Sequence, residues 1–375
     1  MIKILKKGVA VLLAFIMAAS TAACASTDKS WAMKNNSLTV PIGVYIYNLY
    51  SAYQSANTLK KDPTKPVLDQ KIENKSAEEY IKDKALTYTK MLLVLNDKMK
   101  ELNLSLTAEE TKTISSVTDA QWEQASSTLE KYGVSKQSFN LAYADFYTKY
   151  QKVFTALYGK GGKKEVPDSE LKSYFEKNYT DFSFIAKSLY NTKSDGSVTP
   201  FTDQEKAAVK KQFDAYAAEV SSKKKTMKQI ADEYKAASKQ TTEQLQEATE
   251  NLNTSTSYPA DLKTLLDSMK PGEVKSAEIS GAFLVVMKND ITKKTKDELS
   301  MESSRNNLLA EMKAEEFSKD LDKAAQSYSN VTLNQAAIDS YKPSMFVTET
   351  SSAAPAASTA SAASSAAGTA STASK

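Results

Sequence analysis

The sequence predicts an α+β, mostly helical fold, with helical segments from the N- and C-terminal parts of the chain built around a small α+β module. Three observations predict it. Apolar residues recur at helical spacing from Ile42 to Tyr158 and again from Asp297 to Tyr328. Between them the period changes to compact apolar runs bounded by turn residues, Phe182 to Tyr190, Val274 to Ile279 and Ala282 to Lys288. Glycine and proline number only 10 and 9 in 375 residues, so little interrupts the helices.

The chain opens with Lys3, Lys6 and Lys7, an apolar stretch from Val9 to Met17, and the small-residue site Ala22-Ala23-Cys24. This is the pattern of a secretory signal peptide, too short to span a bilayer with proper flanks. Cys24, the sole cysteine, directly follows the small residues. The arrangement resembles the bacterial lipoprotein signal, although Thr21 stands where that pattern usually has leucine. It implies residues 1–23 as leader, Cys24 as the lipidated first residue, and a membrane-anchored protein on the extracytoplasmic face of the cell membrane. An ordinary signal peptide cleaved near Ala23 or Ala25 is the alternative.

Removing the leader takes three lysines and no acid, so the formal charge falls from +4 to +1. With a single arginine, Arg305, the rest of the chain has no electrostatic footprint for nucleic acid and no preference for a nucleotide phosphate. One cysteine forbids an intramolecular disulfide. At the other end, residues 349–375 are nearly all Ser, Ala and Thr; they lack the large apolar side chains that offset ordering entropy, and read as a disordered tail.

Within residues 24–165 the first helix carries Ile42, Tyr45, Ile46, Leu49 and Tyr53 on one face, leaving Tyr47 and Tyr50 off it. Ser76 with Glu79 forms a capping box for a second helix, whose seam runs Ile81, Ala85, Tyr88, Leu92, Leu95, Met99 and Leu102. Thr107 with Glu110 repeats the signal for a third. Phe139, Tyr143, Phe146, Tyr150, Val153 and Leu157 stripe a fourth, ended by Gly159 and Gly161-Gly162. Aromatic stripes of this kind are core in most helices. The off-seam Tyr47 and Tyr50 also admit a second reading, as the lining of a groove for apolar, unfolded polypeptide.

A short connecting helix follows at 166–179. Residues 180–291 then read as the α+β module: a strand over Phe182 to Tyr190, a turn at Asp195-Gly196, a helix capped by Thr202 and Glu205, shorter helices at Met227 to Ala237 and Tyr258 to Met269, and two closing strands. Residues 292–348 return to helix, with a β-like run at Val331 to Leu333 and a last turn of helix at Asn334 to Tyr341, and are expected to pack back on the first domain.

Four stretches carry a family resemblance. They are Val40-Pro41-Ile42-Gly43-Val44-Tyr45-Ile46-Tyr47, the segment from Val166 to Phe175, Met227-Lys228-Gln229-Ile230-Ala231-Asp232-Glu233-Tyr234, and Pro271-Gly272-Glu273-Val274 leading into Gly281-Ala282-Phe283-Leu284-Val285-Val286. Their order resembles the SurA/PrsA-type extracytoplasmic foldases, in which a helical chaperone domain surrounds a parvulin-type prolyl isomerase module. The resemblance implies a foldase that assists exported polypeptides, with 24–165 as the helical SurA-N-like domain and 180–291 as the parvulin-like module. No cofactor or metal is implied, and the oligomeric state is left open.

The chemistry departs from that family. Parvulin-type sites place one histidine in the first strand and another in the last, beside a cysteine or aspartate. This chain has no histidine. Ser188 stands at the first histidine position and Phe283 at the second, the glycine pair before the substrate-facing segment is missing, and Cys24 belongs to the anchor. No catalytic residue is therefore assigned, and a non-catalytic module is expected. An active parvulin-type isomerase is the alternative, because X-Pro rotation forms no covalent intermediate and desolvation alone lowers its barrier.

Other chemistries fit less well. Without histidine or a second cysteine, ordinary zinc sites and Ser-His or Cys-His nucleophiles are excluded. The acidic neighbours Glu109-Glu110 and Glu315-Glu316 do not share a helix face, and Lys223-Lys224-Lys225 reads as a solvated turn. A solute-binding lipoprotein needs strand–helix alternation over two lobes, whereas the first domain here is helical.

Overall fold

The computed structural model describes residues 28–193 and 195–347. The leader, Cys24 and the tail at 349–375 lie outside the described residues. Chain order begins with β1 (Trp31–Lys34), β2 (Thr39–Pro41), α1 (Ile42–Leu59), β3 (Lys71–Ile72), β4 (Lys75–Ser76), α2 (Ala77–Glu101), α3 (Ala108–Leu129) and α4 (Lys136–Asn140). A π turn over Leu141–Asp145 leads into α5 (Phe146–Tyr158) and α6 (Asp168–Asn178). The middle of the chain holds β5 (Thr180–Ser188), β6 (Tyr190–Thr192), β7 (Val198–Pro200), α7 (Asp203–Ser221), α8 (Met227–Ala237), β8 (Gln246–Glu250), α9 (Ala260–Asp267), β9 (Val274–Ile279) and β10 (Ala282–Lys288). It closes with α10 (Thr292–Ser300), α11 (Glu302–Gln326), β11 (Thr332–Leu333) and α12 (Gln335–Ile338). The mostly helical α+β class is the one expected.

Two compact units share these elements: residues 28–93, 112–145 and 326–347 in one, and 94–111 and 146–325 in the other. Residues 94–111 and 146–165, grouped by sequence with the first domain, thus cluster with the sheet-bearing unit. Of 292–348, only the part from Gln326 onward belongs to the first unit.

In the first unit, Met33 and Lys34 of β1 pair antiparallel with Val40 and Thr39 of β2 on one side and with Leu333 and Thr332 of β11 on the other. Sequence periodicity alone missed β1 and β2, because strands of four and three residues show no alternation long enough to read. Asn334 ties the two ends together, its Nδ2 donating to the carbonyls of Asp28 at 2.6 Å and Trp31 at 3.0 Å. The core gathers Tyr45, Leu49, Ala52 and Ala56 of α1 against Ala77, Tyr80, Ile81 and Ala85 of α2. Gly43 lets α1 approach α4, since a Cβ there would lie 2.5 Å from Ser138 Oγ.

In the second unit the four-stranded antiparallel sheet runs β8-β5-β10-β9. Strands β9 and β10 match the expected bounds, joined by Ser280 and Gly281 at φ +48° and +80°, the left-handed pair a two-residue hairpin favours. One face packs on α9 through Phe182, Phe184, Leu284 and Val286 against Leu262 and Leu266. The other packs on α7 and α8 through Ile185, Phe283 and Val285 against Phe213, Met227 and Ile230. Capping boxes at Thr202/Glu205 and Thr226/Gln229 start α7 and α8.

Three sequence expectations are corrected. The helical spacing expected over Asp297 to Tyr328 is carried by two helices, broken where Met301 adopts an extended backbone, φ −84° and ψ 120°. The fourth helix is interrupted by the π turn. The sheet has a fourth strand, β8, whose residues Gln-Glu-Ala-Thr-Glu carry no apolar alternation because it is an edge strand.

Candidate functional site

The described residues singled out in the sequence lie in two places: the end of the sheet holding the expected isomerase positions, and an aromatic surface on the first unit. At the sheet end, β5 and β10 pair Ser188 with Ala282 and Lys187 with Phe283. Side chains alternate across a strand, so residues in the same cross-strand pair share a face. Ser188 therefore lies on the face of Ala186 and Leu284, the one covered by α9, while Phe283 lies on the opposite face with Ile185 and Val285. The structure does not bring the two together.

Their surroundings differ as much as their directions. Ser188 is exposed, and its Oγ accepts the backbone N–H of Tyr190 at 3.3 Å. The Phe283 side chain is buried edge-on against Phe213, with centroids 6.1 Å apart and planes at 83°. Across the sheet Phe283 is flanked by Lys187 and Glu278. The Lys187 ammonium sits 5.7 Å from the Phe201 ring. Over the β9–β10 turn lies the ring of Tyr190, so close that a Cβ on Gly281 would stand 2.7 Å from Tyr190 Cε2.

The second place is built by α1, the end of α3, the turn after it and α4. Tyr47 meets Phe139 edge-on at 5.5 Å, and Phe139 stacks on Tyr143 at 5.2 Å and touches Trp122 at 5.5 Å. Tyr50 lies 5.7 Å from Tyr132 and 5.3 Å from Phe346. Phe139 and Phe346 are buried, whereas Tyr47, Tyr50, Tyr53, Trp122, Tyr132 and Tyr143 are all half-buried. Each of these six rings thus meets the core while part of it faces water. Tyr47 and Tyr50 pack against core rings, and each keeps part of its side chain exposed.

Burial, reinforced by the hydroxyls of Tyr143 and Tyr50, pushes the Tyr47 phenol up to about 12. It stays protonated at any physiological pH. Trp122, Tyr132 and Phe346 were not singled out in the sequence. Tyr132 and Phe346 lie in 3-10 turns, where no helical stripe marks them.

Elsewhere in the first unit, a cleft of about 380 Å³ beside α2 is lined by Glu73, Lys75, Tyr80, Asp83, Lys84 and Lys90, and contains the Lys75–Asp83 ion pair at 2.5 Å. Among the described residues there is no cluster of three or more potential metal ligands, and no helix is long and apolar enough to cross a membrane.

No family model matches the sequence, and no curated protein matches it. Among solved structures, the chain is similar to the foldase protein PrsA of Lactococcus lactis, at 17% identity over 83% of this chain and 97% of that one, with a TM-score of 0.35. It is also similar to the foldase protein PrsA of Streptococcus pneumoniae, at 11% identity over 70% of this chain and 94% of that one, with a TM-score of 0.36. A third such structure is PrsA of Bacillus subtilis, at 14% identity, covering 67% of this chain and 92% of that one, with a TM-score of 0.27.

Proposed function

We propose that this protein is a membrane-anchored, extracytoplasmic chaperone that holds unfolded or partly folded exported polypeptides, and that its parvulin-like module is kept for shape or binding rather than for isomerisation. The observation that carries the reading is the run of six half-buried aromatic side chains on the first unit. Aromatic rings supply large contact area at low entropic cost, and without a fixed hydrogen-bond pattern they accept many sequences. Binding of this kind is weak enough for clients to leave and fold.

The non-catalytic part of the reading is supported by the absence of histidine and by the opposite directions of Ser188 and Phe283. The anchor is supported by the sequence around Cys24. One acyl chain gives only marginal membrane binding, so firm attachment takes two or more.

The test is equilibrium binding of a permanently unfolded protein, reduced and carboxymethylated lactalbumin, followed by fluorescence anisotropy. Saturable binding that salt weakens little is expected, and no binding at tens of micromolar protein contradicts the reading. For the anchor, Cys24→Ser should move the protein from the membrane fraction to the soluble one; unchanged fractionation contradicts it.

A further inference from the structure

The last described segment of the chain occupies part of the aromatic surface. Phe346 sits in a cradle of three tyrosines: Tyr132 edge-on at 4.8 Å and 88°, Tyr50 at 5.3 Å and 71°, and Tyr53 at 5.6 Å and 51°. Two cradle rings come from α1 and one from the turn after α3, so elements distant in sequence converge on a single side chain.

Phe346 is a buried member of the unit's core cluster, with Met345 packed against that cluster, yet the segment is held mainly through its side chains. The backbone hydrogen bonds of residues 342–347 close within the segment itself, from Met345 N–H to Lys342 O at 3.1 Å and from Val347 N–H to Ser344 O at 3.2 Å. It docks by side chains alone: Pro343 and Phe346 are buried and Met345 half-buried. Among the described residues, leaving the cradle therefore breaks no backbone hydrogen bond to the rest of the unit. The cradle tyrosines keep an edge in water even with Phe346 in place, and Tyr50 leads on to the surface formed by Tyr47, Phe139 and Tyr143.

We propose that the Tyr50–Tyr53–Tyr132 cradle is a socket for one aromatic side chain of an unfolded client segment, and that Phe346 fills it in the absence of client. This deepens the chaperone reading and rests on it. A client ring has to displace a tethered competitor. The tether is short, running from the end of α12 at Ile338, so the effective concentration of Phe346 is high and the apparent affinity falls by the fraction of time the socket is empty. Return of Phe346 would also help eject the client, giving release without an energy source.

The experiment compares the full chain with its Phe346→Ala variant. Labelled reduced, carboxymethylated lactalbumin is expected to bind the variant with a Kd about tenfold lower, with the thermal melt still cooperative. A labelled hexapeptide of residues 342–347 is expected to bind the variant saturably and the wild-type chain much less. A variant that loses its cooperative melt would overturn the proposal by making Phe346 a residue the fold requires, as would equal or weaker lactalbumin binding by a folded variant where the wild-type chain does bind it. If lactalbumin binds neither protein while the hexapeptide still binds the variant, the socket stands and the chaperone reading falls.

Discussion

Ser188 and Phe283 occupy neighbouring strands of one sheet and face opposite sides of it, Ser188 paired with Ala282 and Phe283 with Lys187. Two groups on opposite faces cannot flank one prolyl peptide. Restoring the residue types therefore does not restore a site. The double variant Ser188→His/Phe283→His should leave a proline-limited refolding phase unaccelerated at catalytic ratios. Its Phe283→His component should cost about 2–4 kcal/mol, because an imidazole replaces a ring packed on Phe213 in an apolar layer. Refolding kinetics and urea melts check both, and a gain of isomerase activity would contradict the geometry.

A buried polar pair joins α1 to α2: Asn48 Nδ2 donates to Thr89 Oγ1 at 3.0 Å, and Thr89 Oγ1 donates to the Ala85 carbonyl at 2.7 Å. Both residues are buried. Thr89→Val leaves the Asn48 amide without its acceptor and should cost about 1–3 kcal/mol, whereas Asn48→Leu/Thr89→Val should recover most of that loss. A double-mutant cycle by chemical denaturation measures the difference, and additive losses would show that the bond is not the source.

Glu110 caps α3 and holds a lysine. It accepts from the Thr107 backbone N–H at 2.7 Å, and Lys152 Nζ lies 2.7 and 2.8 Å from its two oxygens. The Lys152 hydrogen bond, followed by that from the Thr107 backbone, lowers its acid pKa below the ordinary glutamate value. A carboxylate depressed in the folded state contributes stability above its unfolded pKa of about 4.3, and the contribution disappears as pH falls through the folded value. Glu110→Gln should lower stability by about 0.5–1.5 kcal/mol at pH 7 and by much less below pH 3. Thermal melts across that range test it; an equal loss at both ends would contradict the assignment.

What could be read from the sequence was what local chemistry determines. The bounds of α8 follow from Thr226 and Gln229 at its start and from its apolar stripe of Met227, Ile230, Ala231 and Tyr234, and those of β9 and β10 from their apolar runs on either side of Ser280-Gly281. Illegible were elements made by distant partners. Strand β8 exists because Thr180 to Phe184 pair with it, not because its own residues favour a strand. The break at Met301 contains neither glycine nor proline. At the candidate site the identities of Ser188 and Phe283 were legible, but their directions depend on cross-strand register. Tyr47 and Tyr50 stood out by lying off the helix stripe, whereas Phe346 reaches its cradle only through the fold of the first unit.

The central claim, that the aromatic surface holds unfolded polypeptides, is tested most directly by light scattering from an aggregating, unfolded secreted protein. At equimolar ratio the wild-type chain should suppress the scattering, and Trp122→Ala/Tyr143→Ala, which shortens the half-buried aromatic run beside Phe139, should suppress it less while remaining folded. No suppression by the wild-type chain, or full suppression by a folded variant, would contradict the account.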